Sequence, residues 1–210
     1  MASAPGDRVE RLTGALDLQT VPDKCVDRKD ERDDAQLVEN ARRGDRDAFG
    51  QLYDRYASMV HGILLARVPF RDVDDLVHDV FLLALPRLHT LRDVARFGGW
   101  LAAIARNRAN DYHRRGMAEV EVELSDDTLE RPSGTPASQT SVDTEAAAVL
   151  AAIRTLPETY REILLLRLVE GMTGPEIAAR TGLTHGSVRV TLHRGMQQLR
   201  AKLAQLPAER

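Results

Sequence analysis

Cysteine is almost missing from this 210-residue sequence, which holds only Cys25. That excludes an internal disulfide and a cysteine-rich metal site, and makes a reducing cytoplasm the expected setting. Aromatic residues are scarce too, at 4%. A core built from Leu, Val, Ile and Ala suits helix-on-helix packing better than a sheet, whose strands favour aromatic and β-branched side chains. No apolar run approaches the roughly 20 residues needed to cross a bilayer. Met1 to Asp34 contains no apolar stretch of the secretory kind, so neither export nor membrane insertion is expected. Excess positive charge is also lacking: the net charge is −3 and the pI about 6.1. A protein that grips DNA unaided neutralises many phosphates. Any nucleic-acid role must therefore rest on local charge, or on a partner that supplies the grip.

What is present is helical periodicity, interrupted twice. Residues 1–34 are polar and end in the charge run Asp27 to Asp34, which reads as a disordered or regulatory tail. Asp33 or Asp34 then caps a short helix stopped by Gly44. Asp45 caps a second, with Phe49, Leu52, Tyr53, Tyr56, Met59, Val60, Ile63 and Leu64 in one apolar stripe. A third runs from near Asp72 to Pro86 and carries Val73, Leu76, Val77, Val80, Phe81 and Ala84. After a loop at Pro86 to Arg92, Asp93 caps a fourth, which holds Phe97, Trp100, Leu101 and Ile104 and closes at Gly116. Trp100 is expected in the core rather than as a stacking platform. These four helices, residues 35–116, predict one compact bundle.

Residues 117–144 read as a flexible linker, acidic in its first half and rich in Pro, Gly, Ser and Thr in its second. A second bundle follows at residues 145–206. Pro157 opens one of its helices and Gly171 ends it. Thr173 and Glu176 form a capping box, Gly182-Leu183 makes a tight turn plugged by Leu183, and Thr184 caps a last helix. The fold class is all-α: two small bundles joined by a flexible linker, the second containing a helix-turn-helix. On the last helix Val188, Leu192, Gly195 and Leu199 face inward. Gly186, Arg189, Val190, His193 and Gln197 face outward, as in a helix laid in the major groove. No Asp or Glu occurs between Glu176 and Glu209, while Arg180, Arg189, Arg194, Arg200 and Lys202 do. That acid-free stretch favours a phosphate-facing surface over a merely solvated helix.

Two blocks of sequence resemble a known family. Leu156-Pro-Glu-Thr-Tyr-Arg-Glu-Ile-Leu-Leu-Leu-Arg-Leu-Val-Glu-Gly-Met-Thr-Gly-Pro-Glu-Ile-Ala, with Leu192-His-Arg-Gly-Met-Gln-Gln-Leu-Arg, is similar to region 4 of extracytoplasmic-function (ECF) sigma factors. Asp74-Asp-Leu-Val-His-Asp-Val-Phe81 and Trp100-Leu-Ala-Ala-Ile-Ala-Arg-Asn-Arg-Ala-Asn-Asp-Tyr-His-Arg-Arg115 resemble their region 2. The match covers about residues 35–116 and 145–204, in family order. The resemblance implies a transcription initiation factor, not an enzyme, with core RNA polymerase, promoter DNA and an anti-sigma factor as partners and with no cofactor or metal.

Carried over residue by residue, it makes Asp74, Asp75, Leu76, His78, Asp79 and Phe81 the contacts to core polymerase. Arg87, His89 and Arg92 serve the separated strand of the −10-type element, where a base is flipped into a pocket. Arg106, Asn107, Asn110, Tyr112, Arg114 and Arg115 line the DNA-facing helix, arginines for phosphates and amides for base edges. His185, Ser187, Arg189, Val190, His193 and Arg194 read the −35-type element. The acidic linker fits the polymerase's basic channels. Departures from the family pattern stand at His78 (usually Gln), Leu85 (often Trp) and Arg189-Val190-Thr191 (commonly Lys-Ser-Arg), so promoter preference does not transfer.

Two other readings compete. A stand-alone helix-turn-helix regulator would dimerise and bind palindromic DNA tightly by itself, but it leaves the first bundle unexplained. A metal-dependent enzyme would use Asp75, His78 and Asp79, which share a helical face with Asp72 and Asp74 nearby. It lacks a nucleophile and a second ligand group.

Overall fold

A computed structural model describes residues 28–123 and 141–205 of the chain, with side chains at 33–115 and 148–205. Eight α-helices and no strand occur among the described residues: α1 (Arg28–Arg42), α2 (Arg46–Leu65), α3 (Val73–Ala84), α4 (Phe97–Glu123), α5 (Ser141–Arg154), α6 (Glu158–Leu168), α7 (Gly174–Thr181) and α8 (His185–Ala204). No described helix is long and apolar enough to cross a membrane.

Three of the signals read as helix starts act as such. The Asp45 carboxylate accepts from the backbone N–H of Asp47 and Ala48 and starts α2. The Thr173 hydroxyl accepts from the Glu176 N–H at 3.3 Å, and the Glu176 carboxylate accepts from the Thr173 N–H at 2.8 Å. This reciprocal pair satisfies two of the unpaired donors at the start of α7. Gly182 ends that helix with φ +74°, a left-handed turn that glycine adopts without a Cβ penalty. The Thr184 hydroxyl accepts from the Ser187 N–H and starts α8.

Two boundaries differ from the sequence reading. α1 begins at Arg28, inside the charge run read as tail. Arg, Lys and Glu are good helix formers, and Asp34 ties this helix down rather than capping it: its carboxylate accepts from Tyr56 Oη at 2.6 Å and Arg55 at 2.5 Å. α4 continues through Gly116 to Glu123. A glycine inside a helix costs roughly 1 kcal/mol but stops it only where the chain turns left-handed. Gly44, Gly171 and Gly182 have positive φ, and they mark the helix ends read from the sequence. The linker shrinks accordingly, and most of its acidic and proline-rich sequence, like Met1 to Asp27, lies outside the described residues.

Between α3 and α4 the chain forms two 3-10 segments, Leu85–Thr90 and Val94–Arg96. Asp93, read as the cap of the fourth helix, caps the second of them, its carboxylate accepting from the Ala95 N–H, and α4 starts only at Phe97. Arg42 of α1 braces this connection, donating to the carbonyls of Leu88 and Leu91. Leu52, Met59, Ile63, Val80, Phe97 and Leu101 fill the first bundle, and Ile153, Leu156, Leu164, Ile177, Val188 and Leu199 the second. The two are not separate. α6 packs along α2, and α7 lies on the start of α4. One continuous apolar core runs through both bundles.

Candidate nucleic-acid interface

On α3 the apolar stripe Val73, Leu76, Val77, Val80, Phe81 and Ala84 faces the core. Leu76 and Phe81, read as polymerase contacts, are therefore interior residues. Phe81 packs between Tyr53 at 4.5 Å and Phe49 at 6.2 Å, ring centre to ring centre. The outward stripe is Asp75, His78, Leu82 and Leu85, at the i, i+3, i+7, i+10 spacing of one helix face. Leu82 is 69% exposed and Leu85 45%. Neither leucine is among the contacts named from the sequence, although Leu85 stands out there as a departure from the family pattern. Their phase, off the core stripe, was the available signal.

Asp74 is exposed beside His61, 4.0 Å away. His78 Nδ1 donates to the Asp74 carbonyl at 2.9 Å. Asp79 accepts from Arg108 at 2.6 and 3.2 Å, which fixes α3 to α4. Among the described residues no group of three His, Cys, Asp or Glu side chains is placed to hold a metal ion.

The region read as facing the separated strand surrounds a cavity of about 440 Å³. Arg87 reaches it from the 3-10 turn and Asn107 and Arg115 from α4; Leu82, Leu83 and Ile104 supply an apolar lining. Arg108 and the carboxylates of Asp79 and Asp111 complete the lining. Asp79 is paired with Arg108 and Asp111 with Arg114, which leaves Arg87 and Arg115 to meet phosphates and Asn107 a base edge. Asn110 and Arg114 are exposed further along the same helix, and Arg92 on the loop. His89 is exposed as well, with Nδ1 donating to the Pro86 carbonyl. Arg114 also pairs with Asp111, which holds that carboxyl below its ordinary value.

Two residues of this set are already engaged. Tyr112 Oη donates to Asp72 at 2.8 Å, and that bond raises its pKa. Arg106 donates to Glu162 of α6 at 2.7 and 3.2 Å. Trp100 is half-buried and packs on Phe97, as expected of a core residue.

In the second bundle His185, Ser187, Arg189, Val190, His193 and Arg194 are all exposed on α8. Val188, Leu192, Gly195, Met196 and Leu199 form its buried side. Leu183 is 39% exposed, so the turn is held by Gly182 rather than plugged by a buried leucine.

A helical bundle followed by a helix-turn-helix with a free basic face defines a DNA-binding protein of the helix-turn-helix class. Residues 52–118 match Sigma-70 region 2 and residues 146–199 match Sigma-70, region 4. The RNA polymerase sigma factor CarQ of Myxococcus xanthus is 32% identical over 176 residues, covering 82% of this chain and 98% of CarQ. The ECF RNA polymerase sigma factor BldN of Streptomyces coelicolor is 33% identical over 170 residues, covering 78% of this chain but only 63% of BldN. The structure of CnrH in complex with the cytosolic domain of CnrY superposes with a TM-score of 0.55 at 29% identity, covering 80% of this chain and 96% of that one. The chain belongs to the sigma-70 family of RNA polymerase sigma factors, in its extracytoplasmic-function group.

Proposed function

We propose that this chain binds core RNA polymerase in the cytoplasm, reads promoter elements of the −35 and −10 types with its two bundles, and promotes initiation. The observation that carries the reading is the presence of two distinct outward faces in one chain. The stripe Asp75, His78 and Leu82 on α3, continued by Leu85 at its C-cap, offers a partner mixed apolar and acidic contacts. The exposed face of α8 offers His185, Ser187, Arg189, Val190, His193 and Arg194 to a major groove. A regulator acting alone has no use for the first face.

On this reading Asp74, Asp75 and His78 contact polymerase together with Leu82 and Leu85, while Leu76, Phe81 and the paired Asp79 shape the helix beneath them. Arg87, Arg92, Asn107 and Arg115, with His89, Asn110 and Arg114 around them, receive the separated strand. Arg106 flanks this face. An anti-sigma partner would cover one or both faces, and CnrH, a relative of known structure, is bound to the cytosolic domain of CnrY. With a net charge of −3 the protein alone binds promoter DNA weakly.

The deciding experiment is co-elution of the purified chain with bacterial core polymerase, beside Asp75→Arg and Leu82→Arg variants. A stoichiometric complex lost in both variants is expected. Absence of a complex with the unaltered chain would overturn the reading, and so would tight palindromic DNA binding by the chain alone.

A further inference from the structure

We propose that α6 carries an internal substitute for the DNA backbone: Glu162 holds Arg106 in a closed form of the chain, and the separated promoter strand must displace it to engage that arginine. The proposal rests on the placement of Arg106 beside the strand-binding face given above.

Glu162 is 5% exposed. Its carboxylate accepts two hydrogen bonds from Arg106, and Arg67 lies 2.8 Å from its second oxygen. Glu158, one turn earlier, reaches Arg67 at 2.5 Å. Both cations belong to the first bundle and both carboxylates to the second. A guanidinium binds carboxylate and phosphate by the same two-pronged geometry. Glu162 therefore occupies Arg106 in the way a phosphate would, and a strand arriving there meets two carboxylates instead of a free cation.

The surfaces around this cluster are shaped for closure. Gly62 lies buried in the last turn of α2, where glycine weakens a helix. A Cβ there would come within 2.7 Å of Leu166 and 3.0 Å of Glu170, both on the side of the second bundle. At Gly98 a Cβ would collide with the backbone carbonyl of Arg180. Backbone carbonyls are matched as well: Arg161 donates to Ala66 at 2.8 Å and Arg180 to Arg55 at 2.7 Å. The contact is specific, yet its charged groups regain water when the bundles part. Buried ion pairs come close to balance against that hydration. Opening also exposes part of the apolar core that the bundles share, so the closed form of this latch is the resting one, and by linkage anything that takes Arg106 favours the open form.

The test uses the full chain and three measurements. Small-angle X-ray scattering reports whether the bundles separate, circular dichroism whether each stays helical, and anisotropy the affinity for a short fluorescein-labelled single-stranded oligonucleotide. The variants are Glu162→Ala and Gly62→Gln, the second leaving net charge unchanged. Each is also combined with Arg106→Ala.

Expected are open scattering profiles, intact helicity and at least about fivefold tighter oligonucleotide binding in both single variants, the low end of ordinary coupling between sites. Arg106→Ala should remove most of that gain. Unchanged scattering in Gly62→Gln would overturn the latch while leaving the co-elution result untouched. Opening without any gain in binding would overturn the exclusion, and with it the place of Arg106 beside the strand.

Discussion

Phe81 and Leu82 are neighbours with opposite duties. Phe81 lies 3% exposed against Tyr53 and Phe49, while Leu82 is 69% exposed beside His78 and Leu85. Phe81→Ala leaves a cavity and should cost about 3–5 kcal/mol of stability. Leu82→Ser removes nothing buried and should stay within about 0.5 kcal/mol of the parent. Urea unfolding separates the two, and polymerase co-elution should order them the other way, with the stable Leu82→Ser the poorer binder. A similar stability loss in both would show that the outward stripe is packed. The motif Asp74 to Phe81 was legible in the sequence as a unit, but motif membership does not say which side chains touch a partner. Helical phase says which of them are free to, and it turns Leu82 and Leu85 outward where Leu76 and Phe81 face the core.

Three helix starts were legible, because each cap is a local exchange between one side chain and one or two backbone N–H groups, whereas Asp34 and Asp93 carry the same signal and cap no α-helix. Asp45, Thr173 and Thr184 all cap as their sequence contexts require. Ends were less legible. Gly116 looks like Gly171 in sequence, and only the backbone decides that one continues a helix and the other turns left-handed. Least legible was the pairing of α2 with α6, since residues roughly a hundred positions apart share no period. His61 of α2 shows what that pairing adds. Its Nδ1 lies 2.6 Å from Glu170, just past α6, and its Nε2 4.0 Å from Asp74 of α3. The hydrogen bond to Glu170 raises its pKa above the ordinary 6.5 against the opposing effect of burial. A raised histidine pKa stabilises the paired state fully below 6.5, and that contribution is lost as pH rises through the folded value. Closure should therefore weaken as pH rises from about 6.5, and His61→Gln should flatten the dependence. Scattering across that range checks it; a closed fraction that grows with pH would contradict the assignment.

At the scale of the whole molecule the joint between bundles is rich in charge. Glu162 has a pKa set by opposed causes: burial pushes its carboxyl up, and Arg106 and Arg67 together outweigh that and hold it below the ordinary glutamate range. Such pairs are screened little when buried but fully when open, so added salt favours the open form. Raising ionic strength should expand the chain in scattering before any loss of helicity in circular dichroism. Simultaneous loss of both would mean that the bundles cannot stand apart. Two bundles on a tether were the expectation from composition and periodicity. Nothing there pointed to their joining, because Arg106 reads as a DNA-facing base and no local signal pairs it with Glu162, 56 positions away.

The order in which Arg106 and Glu162 leave the ribosome adds a consequence in time. Glu162 follows Glu123, the last residue of α4, by 39 residues. At roughly 5–20 residues per second, synthesis of that stretch takes about 2–8 s. Every newborn chain thus passes through an interval in which the first bundle is complete and its carboxylate guard has not yet been made. Polymerase close to the translating ribosome would meet the protein at its most receptive.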